Sequence, residues 1–104
     1  MQIKYNPENK TCYVEKENGI KSKEYKCVYP FIREFAICVN QNKKMLFIDI
    51  NFNEISKEYE FCYNYEKGFA KCFREDLSVV YLDEKGNECL NKEEVFKLKK
   101  ERMF

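Results

Sequence analysis

Residues 23–56, KEYKCVYPFIREFAICVNQNKKMLFIDINFNEIS, align without a gap on residues 57–90, KEYEFCYNYEKGFAKCFREDLSVVYLDEKGNECL. Ten positions are identical: Lys23/Lys57, Glu24/Glu58, Tyr25/Tyr59, Tyr29/Tyr63, Phe35/Phe69, Ala36/Ala70, Cys38/Cys72, Asp49/Asp83, Asn53/Asn87 and Glu54/Glu88. Chance supplies roughly three matches over such a span in a chain rich in Lys, Glu and Asn, so a fixed 34-residue period organises the sequence. Substitutions such as Phe31/Tyr65, Arg33/Lys67, Val39/Phe73, Phe47/Tyr81 and Ile48/Leu82 keep apolar, aromatic or basic character, as a recurring packing environment demands. Upstream, TCYVEKENGIKS matches SVVYLDEKGNEC with a one-residue shift in period and supplies a truncated leading copy. One domain of 104 residues follows, divided into a partial repeat 1–22, repeats 23–56 and 57–90, and a C-terminal segment 91–104.

Each copy reads as strand, turn, strand, turn, strand. Phe35–Asn40 and Phe69–Arg74 are short aromatic and β-branched runs ending in polar tips at Gln41–Lys43 and Glu75–Asp76. The return strands Met45–Ile50 and Val79–Asp83 end at Asn51–Asn53 and Lys85–Asn87, where Asn and Gly tolerate positive φ. In the leading copy, Asn6-Pro7-Glu8-Asn9 and Glu17-Asn18-Gly19 make the same two turns. The period of two puts Ala36 with Cys38, and Ala70 with Cys72, on a small sheet face, opposite bulky faces carrying Phe35 with Val39 and Phe69 with Phe73. The small face is expected against a neighbouring strand layer. At the C-terminus, Asn91-Lys92-Glu93-Glu94 has the form of an N-cap with acidic residues in the first turn, and Val95, Phe96, Leu98 and Met103 give an apolar side. The predicted fold is mainly β: an antiparallel meander of two full hairpin repeats and one partial one, closed by a short C-terminal α-helix.

Composition narrows the function. Lys and Arg number 19 against 18 Asp and Glu, interspersed, so no sustained field attracts DNA, an acidic membrane or another polyanion. The N-terminal MQIKYNPENK has no apolar h-region, and the longest apolar stretch, Met45–Ile48, falls far short of the ~20 residues that span a bilayer, so a cytoplasmic location is expected. Cys12, Cys27, Cys38, Cys62, Cys72 and Cys89 form no CxxC and the chain has no His, which argues for packed, reduced thiols and against a structural zinc site. GxSxG, P-loop, GxGxxG and HExxH strings are missing, so neither catalytic residues nor a cofactor is expected. Asp49 and Asp83, at matching places in two copies, read as turn-side acceptors and not as a carboxylate dyad.

Gly68-Phe69-Ala70, Tyr81-Leu82-Asp83 and Gly86-Asn87-Glu88-Cys89-Leu90 are similar in layout to the bacterial WG repeat, with Glu34-Phe35-Ala36, Phe47-Ile48-Asp49 and Asn53-Glu54-Ile55 in the same places one copy earlier. The resemblance covers residues 23–90 well and 11–22 loosely, and the Trp-Gly pair that names the family is replaced by Met45-Leu46 and Val79-Val80. It implies a β-rich repeat scaffold used as an interaction module, and carries over no catalytic residue.

Three function classes follow. The first is a protein-binding module, for instance a small stoichiometric inhibitor of the phage anti-defence or toxin-immunity kind. It would use Tyr29, Tyr63 and Tyr65 with the variable tips, namely Asn40, Asn42, Lys43, Arg74 and Glu75. The second is single-stranded RNA or DNA binding, with rings stacking on bases while Lys67, Lys71, Lys97, Lys99, Lys100 and Arg102 meet phosphates. The third is a thiol-dependent enzyme, for which nothing places a base beside any Cys. Unpaired strand edges leave a homodimer open.

Overall fold

The computed structural model describes residues 1–89 and 92–101. Its elements are β1 (Gln2–Asn6), β2 (Thr11–Glu15), β3 (Cys27–Val28), β4 (Phe35–Val39), β5 (Met45–Asp49), β6 (Phe61–Cys62), β7 (Ala70–Phe73), β8 (Val79–Leu82), β9 (Glu88–Cys89) and helix α1 (Lys92–Glu101). The chain is thus mainly β, with every pairing antiparallel and strands in sequence order within sheets β1-β2, β3-β4-β5 and β6-β7-β8-β9. The strands of the two later hairpins stop one residue short of the predicted ends. The predicted cap Asn91, with Arg102 and Met103, lies outside the described residues.

The backbone repeats itself. Phe35–Val39 pairs with Met45–Asp49 in the register in which Ala70–Phe73 pairs with Val79–Leu82. The turn after each return strand is closed by the same two bonds: Lys16 N–H to Ile20 O and Gly19 N–H to Lys16 O, then Asp49 to Asn53 and Phe52 to Asp49, then Asp83 to Asn87 and Gly86 to Asp83. Left-handed residues recur in step, with Lys10, Lys43 and Leu77 (φ 54°, 62° and 67°) in the tips and Gly19, Phe52 and Gly86 (φ 88°, 67° and 83°) in the turns. The one-residue shift in period sits in the first tip: Asn40 N–H bonds Lys44 O across the second tip, whereas Asn6 pairs with Thr11, one residue further on, across the first.

Stacking of these hairpins makes the core. Ala36, Cys38, Leu46 and Ile48, the small face of the second hairpin, pack with Val14 of the preceding hairpin and with Tyr25 and Val28 of the connector. Its bulky face, Phe35, Ile37 and Phe47, packs on the third hairpin's small face of Ala70, Cys72, Val80 and Leu82. The last bulky face, Phe69 and Tyr81, is covered by Val95 of α1. Outer and inner positions follow from register. In β1-β2 the places that hold Ala36, Cys38 and Ile48 one unit later are taken by Gln2, Lys4 and Glu15, and Lys4 and Glu15 form an ion pair at 3.2 Å. A polar strip therefore ends the stack on one side and a helix on the other, as repeat arrays require. The result is a slab 45 × 33 × 15 Å in extent.

Between hairpins the chain runs as a connector that bonds to both. Tyr25 exchanges two backbone bonds with Cys12 behind it, and Lys26 N–H and Tyr29 N–H then donate to Val39 O and Ile37 O ahead. One copy later Tyr59 exchanges two bonds with Met45, and Glu60 N–H and Tyr63 N–H donate to Phe73 O and Lys71 O. β3 and β6 are the short ladders that result.

Gly86 shows how closely successive units approach. A Cβ on Gly86 would lie 1.7 Å from the carbonyl oxygen of Ile55 in the preceding unit, while one on Gly19 meets nothing within 4 Å, and both residues are left-handed. Gly19→Ala should therefore lower the unfolding free energy by about 1 kcal/mol through backbone strain alone. Gly86→Ala should cost about 3 kcal/mol, since the clash adds to the same strain. Urea unfolding of the two variants checks the difference.

Candidate functional site

Most of the residues shared by the two full copies have a structural duty. Phe35, Ala36/Ala70 and Cys38/Cys72 are buried between layers of the stack, and Phe69 is buried beneath α1. Asp49 accepts the amides of Asn51 and Asn53, as Asp83 accepts those of Lys85 and Asn87, so the paired aspartates are turn acceptors. Glu24 is bonded by Asn6, Asn9 and Thr11 at the first tip, and Glu58 by Asn40 at the second. Tyr25 donates to Glu54 at 2.7 Å and Tyr59 to Glu88 at 3.1 Å, each tying a connector to the end of the following unit. Lys23 pairs with Glu54 at 2.9 Å and Arg74 with Glu88 at 2.8 Å. These donors hold the carboxyls low: Lys23 foremost and then Tyr25 for Glu54, Arg74 foremost and then Tyr59 for Glu88. Burial first, and the carboxylate beside each, push the Tyr25 and Tyr59 hydroxyls up, so both remain donors.

The pair Tyr29/Tyr63 is different. Both are exposed, by 44% and 52%, and both stand where a connector meets the next hairpin. Around them lie two clefts that share a wall. The first is apolar, lined by Tyr29, Pro30, Ile32, Ile37, Phe61 and Tyr63. The second is lined by Tyr63, Asn64, Glu66, Lys71, Tyr81 and Phe96, so Tyr29, Pro30, Ile32 and Ile37 recur 34 residues on as Tyr63, Asn64, Glu66 and Lys71. Tyr63 meets Phe61 and Phe73 edge-on with centroids 5.1 and 6.2 Å apart, which makes an aromatic strip along the connector side. Phe61 and Ile32, 41% and 46% exposed, belong to this face and were missed in the sequence. The alternation of Phe61 and Tyr63 in EFCYNY was the available signal.

The other expected partner-binding residues divide. Asn42, Lys43 and Glu75 are exposed at the tips. Asn40 builds its tip, accepting the amides of Asn42 and Lys44 and donating to Glu58 at 2.5 Å, and Arg74 is committed to Glu88 and Ser78. Tyr65 requires a correction: it is a packing residue and not a connector surface. Its ring lies 4.4 Å from Phe35 and 4.8 Å from Phe47, and its hydroxyl donates to Asp83 O at 2.5 Å. Burial of that hydroxyl, foremost, raises its pKa.

Among the lysines proposed to meet phosphate, Lys71 lies 6.0 Å from the Tyr63 ring and 5.4 Å from that of Phe73. Lys67 is half-buried at a left-handed turn, Lys97 and Lys100 are exposed on α1, the side chain of Lys99 is outside the description, and so is Arg102. All six thiols are free; burial raises Cys38 to about 12 and raises Cys27, while the neighbouring Cys62 side chain first and then burial raise Cys72. Among the described residues no cluster of three or more His, Cys, Asp or Glu side chains could hold a metal, and no helix is long and apolar enough to cross a membrane.

No protein-family model matches the chain, and neither characterised proteins nor solved structures show significant similarity to it.

The site geometry yields two predictions. Tyr29→Ala and Tyr63→Ala should change stability by only about 0.5 kcal/mol, whereas Tyr65→Ala should cost about 3 kcal/mol, as a truncated core aromatic does; chemical denaturation separates them. Glu54 and Glu88 titrate below their ordinary 4.5 in the folded chain. Their stabilisation is therefore present above that value and lost as pH falls through the folded pKa. Tyr59→Phe removes one of the donors holding Glu88, so stability measured from about pH 5 to about pH 3 should fall less steeply than in the parent chain.

Proposed function

We propose that this chain is a non-catalytic protein-binding module, a degenerate relative of the WG repeat, that offers the Tyr29–Tyr63 face to a larger protein. One observation carries the reading: of the residues shared by the two copies, Tyr29 and Tyr63 are exposed large aromatics at the clefts, where fold maintenance supplies no reason for a ring. Exposed tyrosines bring large, rigid contact area and a polar hydroxyl, which suits protein interfaces. The first cleft would accept an apolar side chain, and the second, between Glu66 and Lys71, a polar one. A stoichiometric inhibitor of the phage anti-defence or toxin-immunity kind, acting in the cytoplasm, fits an exposed aromatic face of this sort.

Single-stranded nucleic acid is the weaker alternative, because Lys71 already sits beside rings of its own chain and net charge is +1. A thiol enzyme is weaker still, since the raised thiols of Cys27, Cys38 and Cys72 disfavour the thiolate that reacts. The test is affinity capture from the native cell with the parent chain and with a Tyr29→Ala, Phe61→Ala, Tyr63→Ala variant. A protein partner retained by the parent and lost by the variant is the expected outcome. Recovery unchanged by the three substitutions, or no protein recovered at all, overturns the proposal.

A further inference from the structure

Cys62 and Cys72 face each other across the β6-β7 ladder, as do Phe61 and Phe73 beside them. The Tyr63 amide bonds Lys71 O, which makes Tyr63 and Lys71 a hydrogen-bonded pair and its neighbours Cys62 and Cys72 a non-hydrogen-bonded one. In that kind of pair the Cα atoms approach to about 4.5 Å and the side chains come closest. This is inside the window of about 4.4–6.8 Å within which a disulfide closes without backbone movement. Both residues are buried, and the neighbouring Cys62 side chain is the first cause that raises the Cys72 thiol.

Packing does not require two sulfurs here. One unit earlier the same place is filled by Val28 opposite Cys38, in the same register and equally buried. Cys62 also lines the apolar cleft beside Tyr29 and Tyr63 and keeps 3% of its surface, while Cys72 is fully buried.

We propose that Cys62 and Cys72 are a dithiol site that a hydroperoxide converts to a reversible cross-strand disulfide. The Cys62 thiolate attacks the terminal peroxide oxygen, the O–O bond breaks, hydroxide or alkoxide leaves and takes up the proton the thiol released, and Cys62 becomes a sulfenic acid. Cys72 then attacks that sulfur, the S–S bond forms, the S–O bond breaks, and the thiol proton leaves with the hydroxyl as water. Two thiols lose two electrons, and one hydroperoxide is reduced to water, or to water and an alcohol. Cys62 borders the cleft and Cys72 does not, which makes Cys62 the first to react and Cys72 the resolving partner. The bond would fasten the connector to its hairpin under the cleft. The site does not depend on what the cleft binds, and its test does not involve a partner.

Hydrogen peroxide is added to the native full chain without denaturant, remaining thiols are alkylated, and the protein is mapped by mass spectrometry. Alkylatable thiols should fall from six to four, with one peptide joining Cys62 to Cys72 and full recovery after dithiothreitol. Cys62→Val, which installs the residue of the preceding unit, should leave all five remaining thiols alkylatable, and Cys27→Ser should still form the link. Six free thiols after peroxide, a link through another pair such as Cys12 and Cys27, or oxidation of Cys62 that stops short of a disulfide overturns the proposal. Should Cys62→Val not fold, the mapped link in the parent and in Cys27→Ser decides alone.

Discussion

The fold depends on one packing relation, the bulky face of each hairpin seated on the small face of the next. A two-stranded hairpin buries too little to stand alone in water. Ala36 and Cys38 leave the room that Val14 and Tyr25 fill, and Ala70 and Cys72 leave the room for Phe35, Ile37 and Phe47. Exchanging small for large on either face would drive the layers apart, because interiors packed at crystal-like density absorb added volume poorly. The relation also explains both ends. A small face with no hairpin behind it must be polar, hence Gln2, Lys4 and Glu15, and a bulky face with none ahead must be covered, hence α1 with Val95.

Stacking alone would leave neighbouring layers free to slide. The connectors prevent this by bonding to two hairpins at once, and the Tyr25–Glu54 and Tyr59–Glu88 bonds fix the far end of each unit to the connector behind it. Buried apolar contact supplies the drive and is indifferent to small shifts; hydrogen bonds have geometry and set the register. This division accounts for the kinds of residue the two copies share: small and aromatic residues at the interface, Asp, Asn and Glu in the turns and locks.

Much of this was legible in the sequence because period-two alternation and 34-residue self-similarity report the same thing at two scales. Phe35–Val39, Met45–Asp49 and their later equivalents fall within a residue of expectation, since aromatic and β-branched runs bounded by Asn, Asp and Gly leave few alternatives. The connectors were less legible. Their ladders, Cys27–Val28 and Phe61–Cys62, are two residues long, too short for alternation to register, and they form only because hairpins on either side offer free edges. The sequence pattern groups Tyr65 with the surface residues Tyr29 and Tyr63. Its counterpart Phe31, with no hydroxyl to keep wet, already pointed inward, and Phe31 is packed against the core one unit earlier. The clefts were not legible at all, since they arise from residues of two connectors and a hairpin brought together by stacking.

A stacked scaffold separates what holds the fold from what lines its surface. The residues that change most in chemistry between the two clefts, Pro30 to Asn64, Ile32 to Glu66 and Ile37 to Lys71, sit on connectors and on bulky-face positions near the edge. The buried small face keeps Ala and Cys in both copies. Lys71 shows how such a change is tolerated. At a place where Ile37 is buried beneath the next hairpin, Lys71 lies under no further hairpin, and its ammonium rests beside Tyr63 and Phe73 in place of an apolar neighbour. The end of the stack is thus where polar chemistry enters at least cost. An apolar cleft in the interior of the array and a charged one at its margin therefore follow from the order of the layers before any partner selects them.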